Sequence, residues 1–300
     1  MATTQVPVAR GSCVLISVLA LAGCQWDVLA PAGPVSGALR TILLNSVAIM
    51  LAIVVPVLVV TPIVAWWYRE SNTRAQRFLN WEYSGRLELI IWSIPALVVL
   101  FLGGLAWISS HDLDPAQPLA SPSKPLQVEV ISLDWKWLFI YPKQGVASVN
   151  RLVIPAGVPV HFRLTSATVW NVFWVPRLGS MLYCMYGMAG DLNLQADHVG
   201  VYRGGSAMFS GDGFATMYFD TEAVTADQFS AWTDAARSTG PVLDASAYRA
   251  LLVPQGEVAP YTYRTVAPKL FDDVVQQRLP PGEGAAPGEP NTDMRPTPRS

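Results

Sequence analysis

The stretch GGSAMFSGDGFATM, Gly204 to Met217, decides how the rest of the chain reads. Its glycines and closing methionine are those of a metal-binding loop. Ser206, Met208, Ser210 and Phe214, however, stand where thiols, a carboxylate and an imidazole would sit. Upstream of it come short runs rich in β-branched and aromatic residues: Val128 to Ile131, Trp135 to Tyr141, Arg151 to Ile154, Val158 to Leu164 and Thr168 to Val175. Pro, Gly, Asn and Ser turns separate them. Many brief strands at close spacing predict a Greek-key sandwich or barrel.

The whole chain is too apolar for a soluble domain of its size. Its 300 residues are 51% hydrophobic and 14% charged, with a mean hydropathy of +0.32, so part of it belongs in lipid. A net charge of −2 supplies no basic field, and nucleic acid is not an expected partner. Three widely separated cysteines form neither a disulfide framework nor paired CxxC knuckles.

The N-terminus accounts for two of them. Arg10 precedes an apolar run, Val14 to Ala22, that ends at Leu21-Ala22-Gly23-Cys24, the layout of an export signal over residues 1–23. That ending resembles the bacterial lipobox, which makes Cys24 the expected lipidated first residue of the mature chain. Residues 24–40 form a short exported segment.

Two longer apolar segments follow within residues 41–110. Ile42 to Ala65 ends in Trp66-Trp67-Tyr68, an interfacial aromatic belt, and Leu89 to Ile108 is the second span. Pro56, Pro62 and Pro95 are tolerable in such helices when neighbours restore the lost backbone contacts. The connection carries Arg69, Arg74, Arg77 and Arg86. The positive-inside rule therefore places it in the cytoplasm and the bulk of the chain outside. A Pro-rich linker, 111–125, leads to the β domain, 126–222. Beyond it, Thr225-Ala-Asp-Gln228 is a capping box, and Asp244 to Leu252 reads as another helix, so 223–278 is a helical extension. Residues 279–300, rich in Pro, Gly and Glu, read as a disordered tail.

This order of parts resembles subunit II of the haem-copper respiratory oxidases. LELIIWSIP, Leu87 to Pro95, is similar to the start of that family's second span, and DWKWLFIYP, Asp134 to Pro142, to its aromatic strand. WNVFWVP, Trp170 to Pro176, and the Gly204–Met217 loop resemble its copper-binding regions. The resemblance implies a membrane-anchored all-β protein: a two-helix transmembrane hairpin, a cupredoxin-like Greek-key barrel or sandwich, and a helical C-terminal extension. In the copper-bearing branch a dinuclear centre draws on bridging thiolates, imidazoles, a thioether and a carbonyl, the soft donors that hold copper for electron transfer. Here those places hold Asn171, Ser206, Met208, Ser210, Phe214 and Met217. Both thiolates and both imidazoles are absent, so no metal is expected on this chain.

The resemblance then points to the ubiquinol-oxidase branch. It implies haem and copper in a partner subunit I, further subunits III and IV, ubiquinol reached through subunit I, membrane lipid as surroundings, and a multi-pass place in the bacterial inner membrane with the large domain periplasmic. It also implies a site at Glu88, at the mouth of a proton-uptake path; the alternative is an interfacial acid paired with Arg86 or Arg77. Cys184, His161 and His198 lack the spacing of a mononuclear copper site, and structural roles are expected for them. Trp135 and Trp137 alternate on a strand and should share a face. A free-standing, membrane-tethered assembly or scaffold protein and an oxidase subunit fed by another electron route are the other classes compatible with the sequence.

Overall fold

In the computed structural model, residues 27–76 and 82–279 are described. The signal segment 1–23, Cys24, Arg77 and the tail from Pro280 lie outside them. Both apolar runs are helices: α1 spans Pro34–Trp67 and α2 spans Gly85–Asp112. Each is long and apolar enough to cross a membrane, and the most apolar stretch of each is unburied within the chain. At 1.5 Å per residue even the 28-residue α2 reaches about 42 Å, more than a hydrocarbon core of about 30 Å. Pro56, Pro62 and Pro95 sit inside the helices without ending them.

The start of α1 is seated on the base of the β domain. Ala32 N donates to the Arg177 carbonyl (2.7 Å), Asp197 N to the Ala32 carbonyl (2.8 Å), and Ser36 Oγ to the Arg177 carbonyl (2.7 Å). A side chain at Gly33 would run into the Gln195 carbonyl, so only glycine admits this close approach.

The exported domain is two packed sheets. Its first ten strands are β1 Leu126–Leu133, β2 Lys136–Tyr141, β3 Val146–Val149, β4 Arg151–Pro155, β5 Val160–Ser166, β6 Asn171–Trp174, β7 Leu182–Cys184, β8 Gly190–Leu194, β9 Gly200–Ser206 and β10 Tyr218–Val224. The C-terminal part adds α3 Ala226–Ser238, β11 Val242–Leu243, α4 Ala245–Leu252, β12 Tyr261–Tyr263, β13 Thr265–Val266 and α5 Leu270–Val275. One large sheet runs β12-β3-β2-β1-β5-β8, the other β4-β10-β9-β6-β7, and β11 pairs with β13 in a small third sheet. The parallel pairs β1–β5 and β4–β10 lie within otherwise antiparallel sheets, a cupredoxin-like Greek-key sandwich. Val128, Trp137, Phe139, Phe162, Phe173 and Phe219 fill the space between the sheets.

Three sequence expectations change in detail. Strands expected at 135–141, 158–164 and 168–175 are shifted or trimmed, because Trp135 takes a left-handed backbone conformation (φ 63°) and Pro159 and the 167–170 bend lie outside the ladders. Trp135 therefore does not share a strand face with Trp137. The extension is helical in α3, α4 and α5 but also pairs β12 onto β3. Its Tyr248, Leu251, Tyr263 and Phe271 cover the outer face of β1–β3 in a second core with Ile131, Leu133, Leu138 and Val149. This explains why β2 is buried at every residue: both of its faces are covered.

Candidate functional site

The Gly204–Met217 loop joins β9 to β10 at one end of the sandwich, and β6 brings Asn171 beside it. Two of the side chains singled out from the sequence, Asn171 and Ser206, are bonded to each other. Ser206 Oγ lies 3.1 Å from Asn171 Oδ1, and Asn171 Nδ2 donates to Ser132 Oγ at 3.3 Å. Ser132 Oγ donates to Ser166 Oγ at 3.0 Å, and Ser166 Oγ to the Val169 carbonyl at 2.6 Å. The chain crosses from the five-stranded to the six-stranded sheet, since Ser206 and Asn171 belong to one and Ser132 and Ser166 to the other. Asn171, Ser132 and Ser166 are buried. A polar cross-link therefore joins the two sheets here, and each member satisfies a neighbour that burial would otherwise penalise.

The other positions differ from one another. Met217 is buried in the main core. Phe214 lies in a 3₁₀ turn, Phe214–Thr216, with its ring edge-on to Phe209 at 5.7 Å. Ser210 gives its carbonyl to Trp135 Nε1 at 3.0 Å. Met208 is exposed, as is Phe209, at 74%. Neutral hydroxyls, an amide and a phenyl ring do not fit a copper centre, which needs thiolate and imidazole donors, and no electron-transfer step is derived through one.

Trp135 is the clamp on this loop. Its indole lies flat against Gly213, where any Cβ would enter the ring, and beside Gly211, whose φ is 106°. Glycine at both positions lets the aromatic plane rest directly on backbone. Trp137 is wholly buried, with ring contacts to Phe173 (5.6 Å) and Phe219 (5.5 Å). Both tryptophans thus pack within their own domain.

The remaining candidates are Cys184, His161 and His198. Cys184 is buried on β7, and burial pushes its thiol up to about 12, so the thiolate form that binds metals is suppressed. His161 Nδ1 is 3.1 Å from Asn193 Oδ1 and its Nε2 is 3.3 Å from Asp191. His198 is exposed, and its carbonyl accepts from Tyr202 Oη at 2.8 Å. Among the described residues there is no group of three or more His, Cys, Asp and Glu that could hold a metal.

Glu88 is in the first turn of α2, exposed, with its backbone N bonded to the Ser84 carbonyl at 3.0 Å. It forms no ion pair with Arg86 or another described residue. An acid there faces the positive end of the helix.

Two further residues, which the sequence reading passed over, hold the extension to the loop end. Lys136 is buried and its Nζ donates to the Val253 carbonyl at 2.8 Å, while Asn150 Nδ2 donates to the Val258 carbonyl at 2.8 Å. Burial lowers the Lys136 pKa, and the nearby Asp134 charge opposes that shift. A lysine within a strand motif, DWKW, was the available signal.

No family model matches the chain. It is 45% identical over 263 residues to ubiquinol oxidase subunit 2 of Acetobacter aceti, covering 87% of this chain and 85% of that one. It is 40% identical to cytochrome bo(3) ubiquinol oxidase subunit 2 of Pseudomonas aeruginosa, covering 92% and 84% respectively. Quinol oxidase subunit 2 of Bacillus cereus is 37% identical, with 79% and 82% covered. Among solved structures, the periplasmic domain of subunit II of cytochrome oxidase from Bradyrhizobium japonicum aligns with 40% of this chain and 98% of its own, at 21% identity and a TM-score of 0.37.

Proposed function

Because the chain belongs to the family of ubiquinol oxidase subunit 2, we propose that it is the redox-silent second subunit of a proton-translocating respiratory quinol oxidase. The complex oxidises ubiquinol and reduces oxygen to water on haems and copper held by subunit I, with subunits III and IV completing it. The observation that carries the redox-silent role is the donor set. Asn171 and Ser206 bond to each other, and neutral groups of this kind cannot replace bridging thiolates.

In this reading α1 and α2 cross the bacterial inner membrane as a pair. Exposed Trp66, Trp67 and Tyr68 and the cations Arg69, Arg74 and Arg86 mark the cytoplasmic side, and the β domain lies in the periplasm. Cys24 carries the lipid that tethers the mature N-terminus. Glu88 is the proton-entry group: an exposed carboxylate at a membrane boundary, without an ion pair among the described residues, is suited to collecting protons.

The test is to isolate the detergent-solubilised complex through a C-terminal tag on this chain, then measure haem, copper, and quinol- and cytochrome c-driven oxygen uptake. Haem with a single copper and quinol-driven uptake is the expected result. Extra copper with cytochrome c activity, or a chain isolated without haem, overturns the reading. In the same complex Glu88→Ala is expected to lower both turnover and proton uptake; unchanged values remove that role.

A further inference from the structure

Tyr83 stands two residues before α2, and its ring folds back over the first turn of that helix. A Cβ at Gly85 would lie 3.0 Å from the Tyr83 hydroxyl and 3.5 Å from the ring carbon that bears it. The hydroxyl therefore rests on the space that Gly85, lacking a side chain, leaves open. Alanine at this position would press on it.

Glu88 leans over the same spot. Gly85 and Glu88 are three residues apart within α2, so they are neighbours on one face, with about 5–6 Å between Cβ positions. Cα–Cβ bonds in a helix tilt toward its N-terminus, and a long side chain covers the turn before its own Cα. For Glu88 that is the turn at Gly85. Three bonds of about 1.2–1.5 Å carry its carboxylate oxygens past Cβ, which brings them within hydrogen-bond reach of the hydroxyl. No hydrogen bond joins the two in the structure, and rotation of the exposed Glu88 side chain suffices to make one.

Chemistry favours this pairing over an ion pair. Among the described residues no cation lies within ion-pair distance of Glu88. A tyrosine hydroxyl donates to an ionised carboxylate and accepts from a protonated one, whereas a guanidinium only donates. The hydroxyl can thus hold the carboxyl in one orientation before and after it takes up a proton. Tyr83 is 71% exposed and Glu88 is exposed as well, so water reaches both. We propose that Tyr83 is the positioning residue for Glu88: its hydroxyl, seated on Gly85, orients the carboxyl that receives the proton. The inference rests on Glu88 being the proton-entry group.

The experiment uses the assembled oxidase in proteoliposomes, with quinol-driven turnover and proton uptake measured together. Tyr83→Phe keeps the ring and removes the hydroxyl. It is expected to lower kcat and proton uptake about threefold with the quinol KM unchanged. Gly85→Ala displaces the hydroxyl while leaving both functional groups in place; it should act in the same direction, and it serves where Tyr83→Phe does not assemble. In a Glu88→Ala background Tyr83→Phe should add nothing, as two residues acting through one interaction require. The infrared band of the Glu88 carboxyl, identified by its loss in Glu88→Ala, should shift in Tyr83→Phe. A further loss in the Glu88→Ala background or an unmoved band overturns the proposal. The two readings separate cleanly: a loss in Glu88→Ala with none in Tyr83→Phe overturns the positioning role alone, and unchanged turnover in Glu88→Ala removes proton entry and the positioning role together.

Discussion

The two faces of the six-stranded sheet meet different partners and are held in different ways. At the loop end of its inner face, Ser132 and Ser166 join the polar chain through Asn171 to Ser206. On its outer face, Ile131, Leu133 and Leu138 pack against Tyr248, Leu251 and Phe271 of the extension. The first region relies on directional bonds, each worth about 1 kcal/mol net. The second relies on area, where one large side chain outweighs several such bonds. The difference teaches where tolerance to change should lie.

The largest effect is expected on the apolar side. Phe271→Ala should cost about 3–5 kcal/mol, because the ring is fully buried and also lies under the Arg163 guanidinium at 4.7 Å. The readout is loss of this chain from the haem-containing complex on mild heating. A wild-type profile would mean that the extension is not a structural part of the domain.

Next comes Asn171→Ala, which removes the bonds to Ser132 and Ser206 while each serine keeps another partner, and should cost about 1–2 kcal/mol. Thermal release of the same complex measures it, and an effect as large as that of Phe271→Ala would break the proposed contrast between bonds and area. Trp135→Phe keeps an aromatic plane over Gly213 but removes the 3.0 Å bond to the Ser210 carbonyl. It should cost about 1 kcal/mol and leave quinol oxidation intact; loss of activity in a normally assembled complex would give Trp135 a role beyond packing.

The smallest effect is chemical. With burial pushing the Cys184 thiol up to about 12, the folded chain carries essentially no thiolate near neutral pH. Maleimide should therefore leave Cys184 unlabelled at pH 8 until the protein is denatured, as mass spectrometry will show. Labelling in the native complex would mean that β7 opens.

A different pH dependence attaches to the apolar side. Burial raises the Glu129 pKa above its ordinary value, with the Arg163 charge partly opposing the shift. The folded state thus binds this proton more readily than the unfolded one, so Glu129 adds stability as pH falls through the raised value and loses it as pH rises. Glu129→Gln should flatten that part of the thermal-stability profile of the complex between acid and neutral pH.

Much of the site was legible because it rests on residue identity. Ser206, Ser210, Phe214 and Asn171 lack the donors copper requires whatever their positions. That Asn171 and Ser206 would bond to each other was not legible, since they are 35 residues apart and meet only through the β6–β9 pairing. The Trp135 reading failed for a local reason: one left-handed residue took the side chain off the strand and the period-two argument with it. The strand Lys136–Tyr141 carried a hint that was not used, because an apolar run without alternation signals burial on both faces.

What the sequence by itself determined is chemistry and order. Two segments long and apolar enough to cross a membrane, a β domain, and a loop without thiolates or imidazoles follow from composition, periodicity and residue type, all properties that survive without contacts. Only the tertiary structure decided the polar cross-link between the sheets and the covering of the second sheet face by the extension. Each depends on residues distant in the chain meeting at hydrogen-bond or van der Waals distance, and local sequence patterns carry no information about such meetings until the strands have found their partners.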